Sequence, residues 1–353
     1  MELMQVMSTR LEKRNTYERH ELTGLSKKCD WFINGTQLVN ISNILHPNFI
    51  FLTAFRGRIG VQYLVKELLP TILSKFILII ASEDYTFPYG KGDIRWNEYL
   101  HVQEDIKILL ESQKIIHIFV ENLDTLHPKL SPIPLGLLDS LLLVDLNSHE
   151  VDFSKKKQMC FCRHRTHDQE TGQFYDRARI AELSANNWNN FVTLEKDEIT
   201  ESKFIENIIN SKFCLCIRGG GYDPCPRFFQ CILYGTIPII QHSPLDEVFM
   251  KFPVVFIDSL SENSLSESFL MEKLEELRDF YENKLKRKKI LYMLTLDYWW
   301  NIINNKFNTY VNNSLENLCV QVDSTTPTRV DVVSYTDSRP TLPRSQAENK
   351  VDF

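Results

Sequence analysis

The chain has 353 residues, enough for two domains of ordinary size. Hydrophobic residues at 43% and charged residues at 24% describe a globular protein, and a formal net charge of −6 speaks against the basic face that a nucleic-acid partner requires. No run of about 18 apolar residues occurs and the charged N-terminus lacks a signal-peptide core, so no transmembrane segment is expected and the cytoplasm is the expected compartment, with the cysteines reduced.

Residues 1–45 are polar and weakly patterned and read as a lead-in. Apolar strands are expected at 48–54, 76–81 and 115–120, with helical patterns from 57 to about 73 and from 96 to about 112. These make up a first domain over 46–150. The polar, charged stretch 148–157 reads as the boundary. A second alternating set follows, with strands at 158–162, 191–194, 213–217, 237–241 and 254–258. Its helices are expected near 171–185, 200–210 and 224–234. Two long helical patterns, 266–288 and 290–310, close a second domain over 151–320. The Thr-, Ser- and Pro-rich residues 321–353 read as a disordered tail. Continuously apolar strands alternating with helices imply parallel sheets covered on both faces. The expected class is α/β, with two Rossmann-like domains.

The densest chemistry lies in residues 211–241. A buried strand runs into Arg218 and the turn Gly219, Gly220 and Gly221, whose backbone is free to adopt positive φ and to approach a ligand. Asp223-Pro224 reads as a helix start, with the Asp side chain as cap. A glycine turn at a helix N-terminus is a ready phosphate site. Arg227, Gln230 and Tyr234 share one stripe of the helix behind it. Together they outline a nucleotide site.

The run Gly221-Tyr222-Asp223-Pro224-Cys225-Pro226-Arg227, followed by Gly235-Thr236-Ile237-Pro238-Ile239-Ile240, resembles the donor-binding motif of exostosin-like glycosyltransferases. Phe119-Val-Glu-Asn122, Ile133-Pro-Leu-Gly136, Ser243-Pro-Leu-Asp246 and Asp297-Tyr-Trp299 resemble further family segments. The resemblance covers roughly residues 50–300. It implies the GT-B arrangement, two Rossmann-like domains facing across a cleft. It also implies transfer of a sugar from a nucleotide-sugar donor, UDP- or GDP-linked, to a glycan or glycoprotein acceptor with inversion. Two positions depart from the family pattern: Pro226 stands for a His, and Gln230 for the Glu expected on the ribose. They support an alternative, a catalytically inactive relative that binds a nucleotide, glycan or protein partner.

Glycosyl transfer needs a held diphosphate, a positioned acceptor hydroxyl and, for inversion, a base. The chain contains no Asp-x-Asp, so no metal cofactor is expected and cations must stabilise the leaving group. Arg218 and Arg227 suit this because a guanidinium matches phosphate oxygens bidentately. Arg163 and Arg165 end a strand where ligands of open α/β sheets collect. Asp84, Glu121 and His127 are candidate bases at or after strand ends of the first domain, with Asp84 preferred. His164, His167 and Asp168 show no matching metal set. Cys160/Cys162 and Cys214/Cys216 sit inside apolar strands and read as small buried hydrophobes. Cys225, at the helix start, is the one thiol expected to have a lowered pKa.

Overall fold

A computed structural model describes residues 2–323 apart from 10–11, 14–19, 23, 54–56, 83–84, 95–101, 140–141, 148–149 and 166–173. Met1–Tyr310 form one compact unit, and Val311–Phe353 a second whose described part is the end of the last helix. In chain order the strands of the first half are β1 (Leu3–Gln5), β2 (Glu12–Lys13), β3 (His20–Glu21), β4 (Trp31–Asn34), β5 (Gln37–Asn40), β6 (Phe49–Thr53), β7 (Phe76–Ala81), β8 (Ile115–Val120), β9 (Leu130–Pro132) and β10 (Leu143–Asp145). Helices α1 (Gly57–Tyr63) and α2 (Gln103–Glu111) lie among them. The second half begins with β11 (Gln158–Cys162), α3 (Tyr175–Asn186), β12 (Val192–Leu194), α4 (Glu201–Ile209) and β13 (Ser211–Leu215). It continues with α5 (Pro226–Tyr234), β14 (Ile237–Gln241), α6 (Asp246–Phe249) and β15 (Val255–Ile257). Helices α7 (Glu267–Glu282), α8 (Lys284–Tyr292) and α9 (Leu296–Asp323) follow.

The two large sheets are separate, as the GT-B arrangement requires, and β1-β10 and β2-β3 form two small ones. The first large sheet has the order β5-β4-β6-β7-β8-β9, with β4 and β6 to β9 parallel and β5 antiparallel at the edge. The second, β12-β11-β13-β14-β15, is parallel throughout. Strand β7 is buried along its whole length, which explains its unbroken apolar sequence, and β13 is buried at all but Lys212.

The lead-in reading of residues 1–45 is corrected. Trp31 to Asn34 form an inner strand of the first sheet, and β1 pairs antiparallel with β10. Between them the chain threads the interior: Met7 N–H donates to Leu294 O at 2.7 Å, and Leu137 N–H donates to Met7 O at 2.9 Å. Gly136 faces this strand with φ +80°, and a Cβ there would collide with the Met7 carbonyl. These contacts are long-range, so no local pattern announced them. The last strand of the first sheet, β9, ends at Pro132 and the second sheet opens with β11 at Gln158. The single helix expected over 266–288 is two, because Asn283 is extended (φ −74°, ψ 117°) and its side chain caps α8 through Leu285 and Lys286 N–H. Residues 324–353, most of the expected tail, lie outside the described residues, while 321–323 belong to α9.

Candidate donor site at the strand ends

Strands β11 and β13 are neighbours, and the chain continues to β12 on one side and β14 on the other. Such a reversal of strand order opens a crevice beyond the carboxyl ends, where ligands of doubly wound sheets bind. Arg163 follows β11 directly, and the Arg218–Gly221 turn follows β13. The topology therefore gathers residues more than fifty positions apart.

The arginines are poorly supplied with anions. Nε of Arg163, and Nε and Nη1 of Arg227, are buried without a hydrogen-bond partner among the described residues. The Arg227 guanidinium lies 5.4 Å from the Phe204 ring centroid on α4, a contact that orients it without neutralising it. A third cation, Arg177 on α3, donates from Nε to the Arg218 carbonyl at 3.2 Å and from Nη2 to Cys225 Sγ at 3.1 Å. Arg218 pairs with the Asp176 carboxylate and lies over Tyr222 at 5.3 Å. Burial first, then the charges of Arg227, Arg177 and Arg163, hold the His164 imidazole well below its usual pKa. It stays neutral and accepts from Ile217 N–H through Nε2 at 3.2 Å, fixing the start of the turn.

The turn itself differs from expectation in two ways. None of Gly219, Gly220 and Gly221 has positive φ; the left-handed residue is Cys225, at φ 71°. Glycine at 219 leaves room for a neighbour instead: a Cβ would stand 2.7 Å from Arg177 Nη2 and 3.3 Å from Cys225 Sγ, so the Arg177 side chain would have to shift. The helix also starts later, with Pro226 in its first turn and Cys225 at the cap. Asp223 caps no helical N–H. It is buried, and its carboxylate accepts from Cys225 N–H at 2.7 Å and from Leu135 N–H of the first half at 3.3 Å. Its own N–H donates to Asn122 Oδ1 at 2.9 Å. Asp223 thus fastens the turn to the opposite half. The Cys225 thiol, expected low, is pushed up because burial outweighs the nearby arginines.

Two cavities flank Arg218. The larger, about 230 Å³, is lined by Arg218, Tyr222, Gln241, His242, Ser243 and Phe249. The smaller, about 100 Å³, lies between the halves: Thr86 and Gly92 come from the first, and Asp176, Gly219 and Gly221 from the second. Gly220 sits buried in the same turn, Arg165 is exposed after β11, and Gln230 is half-buried on α5 outside both cavities. Asp84 lies outside the described residues, as do Arg56, His167 and Asp168. Glu121 is wholly buried, accepting from Thr9 Oγ1 at 2.6 Å and Ser82 N–H at 2.7 Å, so it serves the fold rather than an acceptor. His127 precedes β9 on the amino-terminal edge of the first sheet, beside Lys129, and is corrected as a base candidate on that ground. Residues 163–165 were legible as strand-end cations. The same rule applied to β14 would have found Gln241 and His242. Arg177 and Asp176 were missed because their partners are about forty residues away.

The sulfurs of Cys214, Cys216 and Cys231 lie within 4.8 Å of one another, all buried. The strand reading anticipated the burial of Cys214 and Cys216 but not their convergence with Cys231 of α5. Three soft donors are one fewer than structural zinc uses.

No family model and no curated protein sequence matches the chain. Solved structures resemble it in arrangement. The apo structure of OtsA aligns with TM-score 0.43 and 7% identity, covering 73% of this chain and 72% of that one. Sucrose-phosphate synthase from Thermosynechococcus elongatus aligns with TM-score 0.41 and 11% identity, covering 76% and 74%. An alpha-glucosyltransferase in complex with UDP and a 13-mer DNA aligns with TM-score 0.35 and 11% identity, covering 73% and 79%. At such scores the strand order described above, not the alignment, carries the fold assignment.

Proposed function

We propose that the chain is a glycosyltransferase that takes a sugar from a nucleotide-sugar donor, with the donor diphosphate bound at the carboxyl ends of β11 and β13. The observation that carries this reading is the set of buried guanidinium nitrogens, Nε of Arg163 and Nε and Nη1 of Arg227, that meet no hydrogen-bond partner among the described residues near the switch point. An unmade hydrogen bond on a buried donor costs about 1–3 kcal/mol, more for a charged group. A diphosphate supplies the missing acceptors and the missing charge. Once the glycosidic bond breaks, negative charge grows on the same phosphate oxygens, so groups that bind the donor also lower the barrier.

Arg163, Arg218 and Arg227 hold the diphosphate, with Arg165 at the rim and the Gly219–Gly221 backbone beside it. Gln230 reaches the ribose from the stripe it shares with Arg227. Asp223 contributes through the turn it fixes. UDP or GDP is the carrier, a glycan or glycoprotein the acceptor, and inversion the expected outcome, with Asp84 as base. Metal plays no part in this scheme, because arginines replace the ion. The protein is assigned to the cytoplasm on its composition; no described helix is long and apolar enough to cross a membrane.

Calorimetric titration with UDP, GDP and ADP, followed by transfer assays with their sugar conjugates, tests the reading. Binding of one nucleoside diphosphate that persists in EDTA is expected. No binding by any of them would overturn it, and binding restored only by manganese would overturn the metal-free leaving group. A second reading, a donor-binding protein without transfer, is favoured by the withdrawal of Glu121 and His127 from the cleft. Saturable nucleotide binding with no turnover on any acceptor would select it.

A further inference from the structure

Close to the Arg218 turn lies a group of thiols that glycosyl transfer does not use. Cys214 is in β13 and Cys216 follows the strand directly, its N–H still donating to Ile239 O of β14 at 2.9 Å. Extended chain turns residues i and i+2 to the same face, and there Cys231 of α5 meets the two sulfurs. The three sulfurs lie within 4.8 Å of one another, with those of Cys216 and Cys231 3.7 Å apart, and all three residues are fully buried. No other His, Cys, Asp or Glu of the described residues joins them. Each thiol taken singly is a small apolar filler, but three that converge from a strand and a helix make a soft donor set.

We infer that Cys214, Cys216 and Cys231 hold one Cu(I) ion in a three-coordinate site that clamps α5 to β13. The site stands apart from the donor reading and does not depend on it. Geometry comes first. A metal–thiolate bond of about 2.3 Å places the sulfurs of a planar three-coordinate site about 4 Å apart, close to the separations found here. The number and kind of ligands then select the metal. Thiolates favour soft ions; zinc completes a tetrahedron with a fourth ligand, and iron–sulfur clusters use four cysteines. Cu(I) is satisfied by three sulfurs alone. Charge agrees with the choice. Three thiols and one Cu(I) release three protons and leave a complex of charge −2. Burial opposes such a charge unless cations accompany it. The Arg227 guanidinium works against burial at Cys214 and Cys231. The Lys156 ammonium, which donates to Ile209 O at 2.6 Å and Thr236 Oγ1 at 3.2 Å, interacts electrostatically with Cys231. Two positive charges balance the two negative ones.

The test equilibrates reduced, oxygen-free protein with Cu(I) buffered by bicinchoninate, beside a second batch produced with copper in the growth medium. By at least one route the protein should retain one equivalent of copper, with X-ray absorption showing three sulfur neighbours and no other ligand. Its melting temperature should rise by several degrees over metal-free protein, because a ligand held only by the folded state stabilises it. Cys214→Ala and Cys231→Ala should each weaken Cu(I) binding by about a hundredfold or more. Cys160→Ala and Cys225→Ala, which remove a buried and a half-buried thiol outside the group, should bind copper as the parent does. Copper retained by neither route, or undiminished in folded Cys231→Ala, would overturn the inference. A two-sulfur or nitrogen-containing environment in the parent would do the same, and that measurement decides the matter even where no variant folds.

Discussion

The two sheets present their carboxyl ends to the same seam, and they treat charge there in opposite ways. At the end of β8, Glu121 is buried and accepts from Thr9 and Ser82. After β11 and on α5 behind the turn that follows β13, the half-buried Arg163 and Arg227 carry buried nitrogens, Nε of the first and Nε and Nη1 of the second, that no described residue meets. A polar group already used by the fold contributes to stability; one left unused at a strand end is a candidate for contact with a ligand. Charge at a strand end is therefore a poor guide to function until its partners are known.

The sharpest way to break this contrast is to remove one residue of each kind. Glu121→Ala takes the acceptor from Ser82 N–H, leaves the Thr9 hydroxyl only the Leu135 carbonyl and opens a void, so it should cost on the order of 2–4 kcal/mol of folding stability in denaturant melts. Whatever remains folded should bind nucleotide as the parent does. Arg227→Ala should do the reverse, leaving stability level or higher while nucleoside diphosphate affinity falls ten- to a hundredfold, the equivalent of about 1.5–3 kcal/mol. Arg227→Lys should recover part of that, since an ammonium lacks the bidentate fork. A parent-like titration for folded Arg227→Ala would mean that this helix is structural.

The first sheet should also betray its structural character in acid. His117 is buried in β8 with Nε2 2.9 Å from Ser131 Oγ, and burial, helped by the charges of Lys306, Lys129 and His127, lowers its pKa to about 4. The unfolded chain then binds the extra proton below its ordinary pKa of 6.5. Stability is complete above that value and drains as pH falls towards 4, by on the order of 2 kcal/mol. His117→Leu should flatten that slope, while diphosphate affinity at neutral pH stays put. The smallest effect is expected at Gln230. Gln230→Ala should weaken UDP a few-fold and inorganic diphosphate not at all, and equal losses would remove it from the ribose.

Much of this was readable from the chain. An unbroken apolar run identified β7, and largely apolar runs identified β8 and β13, because a strand covered on both faces has little polar register to keep. The glycine turn and its flanking arginines were visible for the same reason that they function: they sit together in sequence beside a strand end. What escaped depends on distant pairing. Trp31 to Asn34 looked like lead-in although it forms a tight hairpin with β5 across Gly35 (φ 59°), a local signal that was passed over; its place inside the sheet, beside β6, was the part no local pattern gave. Arg177 and Asp176 belong to the site only because α3 folds back over the turn. Asp223 had a local reading as a helix cap, yet its partners include Leu135 and Asn122 of the other half.

That last pair of bonds gives the cleft a built-in clock. The amide hydrogens of Asp223 and Leu135 are each held across the seam, one by Asn122 and one by the Asp223 carboxylate. Neither can exchange with solvent deuterium until the halves part at that point. Their exchange rates therefore count openings directly, and a donor that bridges the seam should slow both together, even where no other amide in the sheets changes.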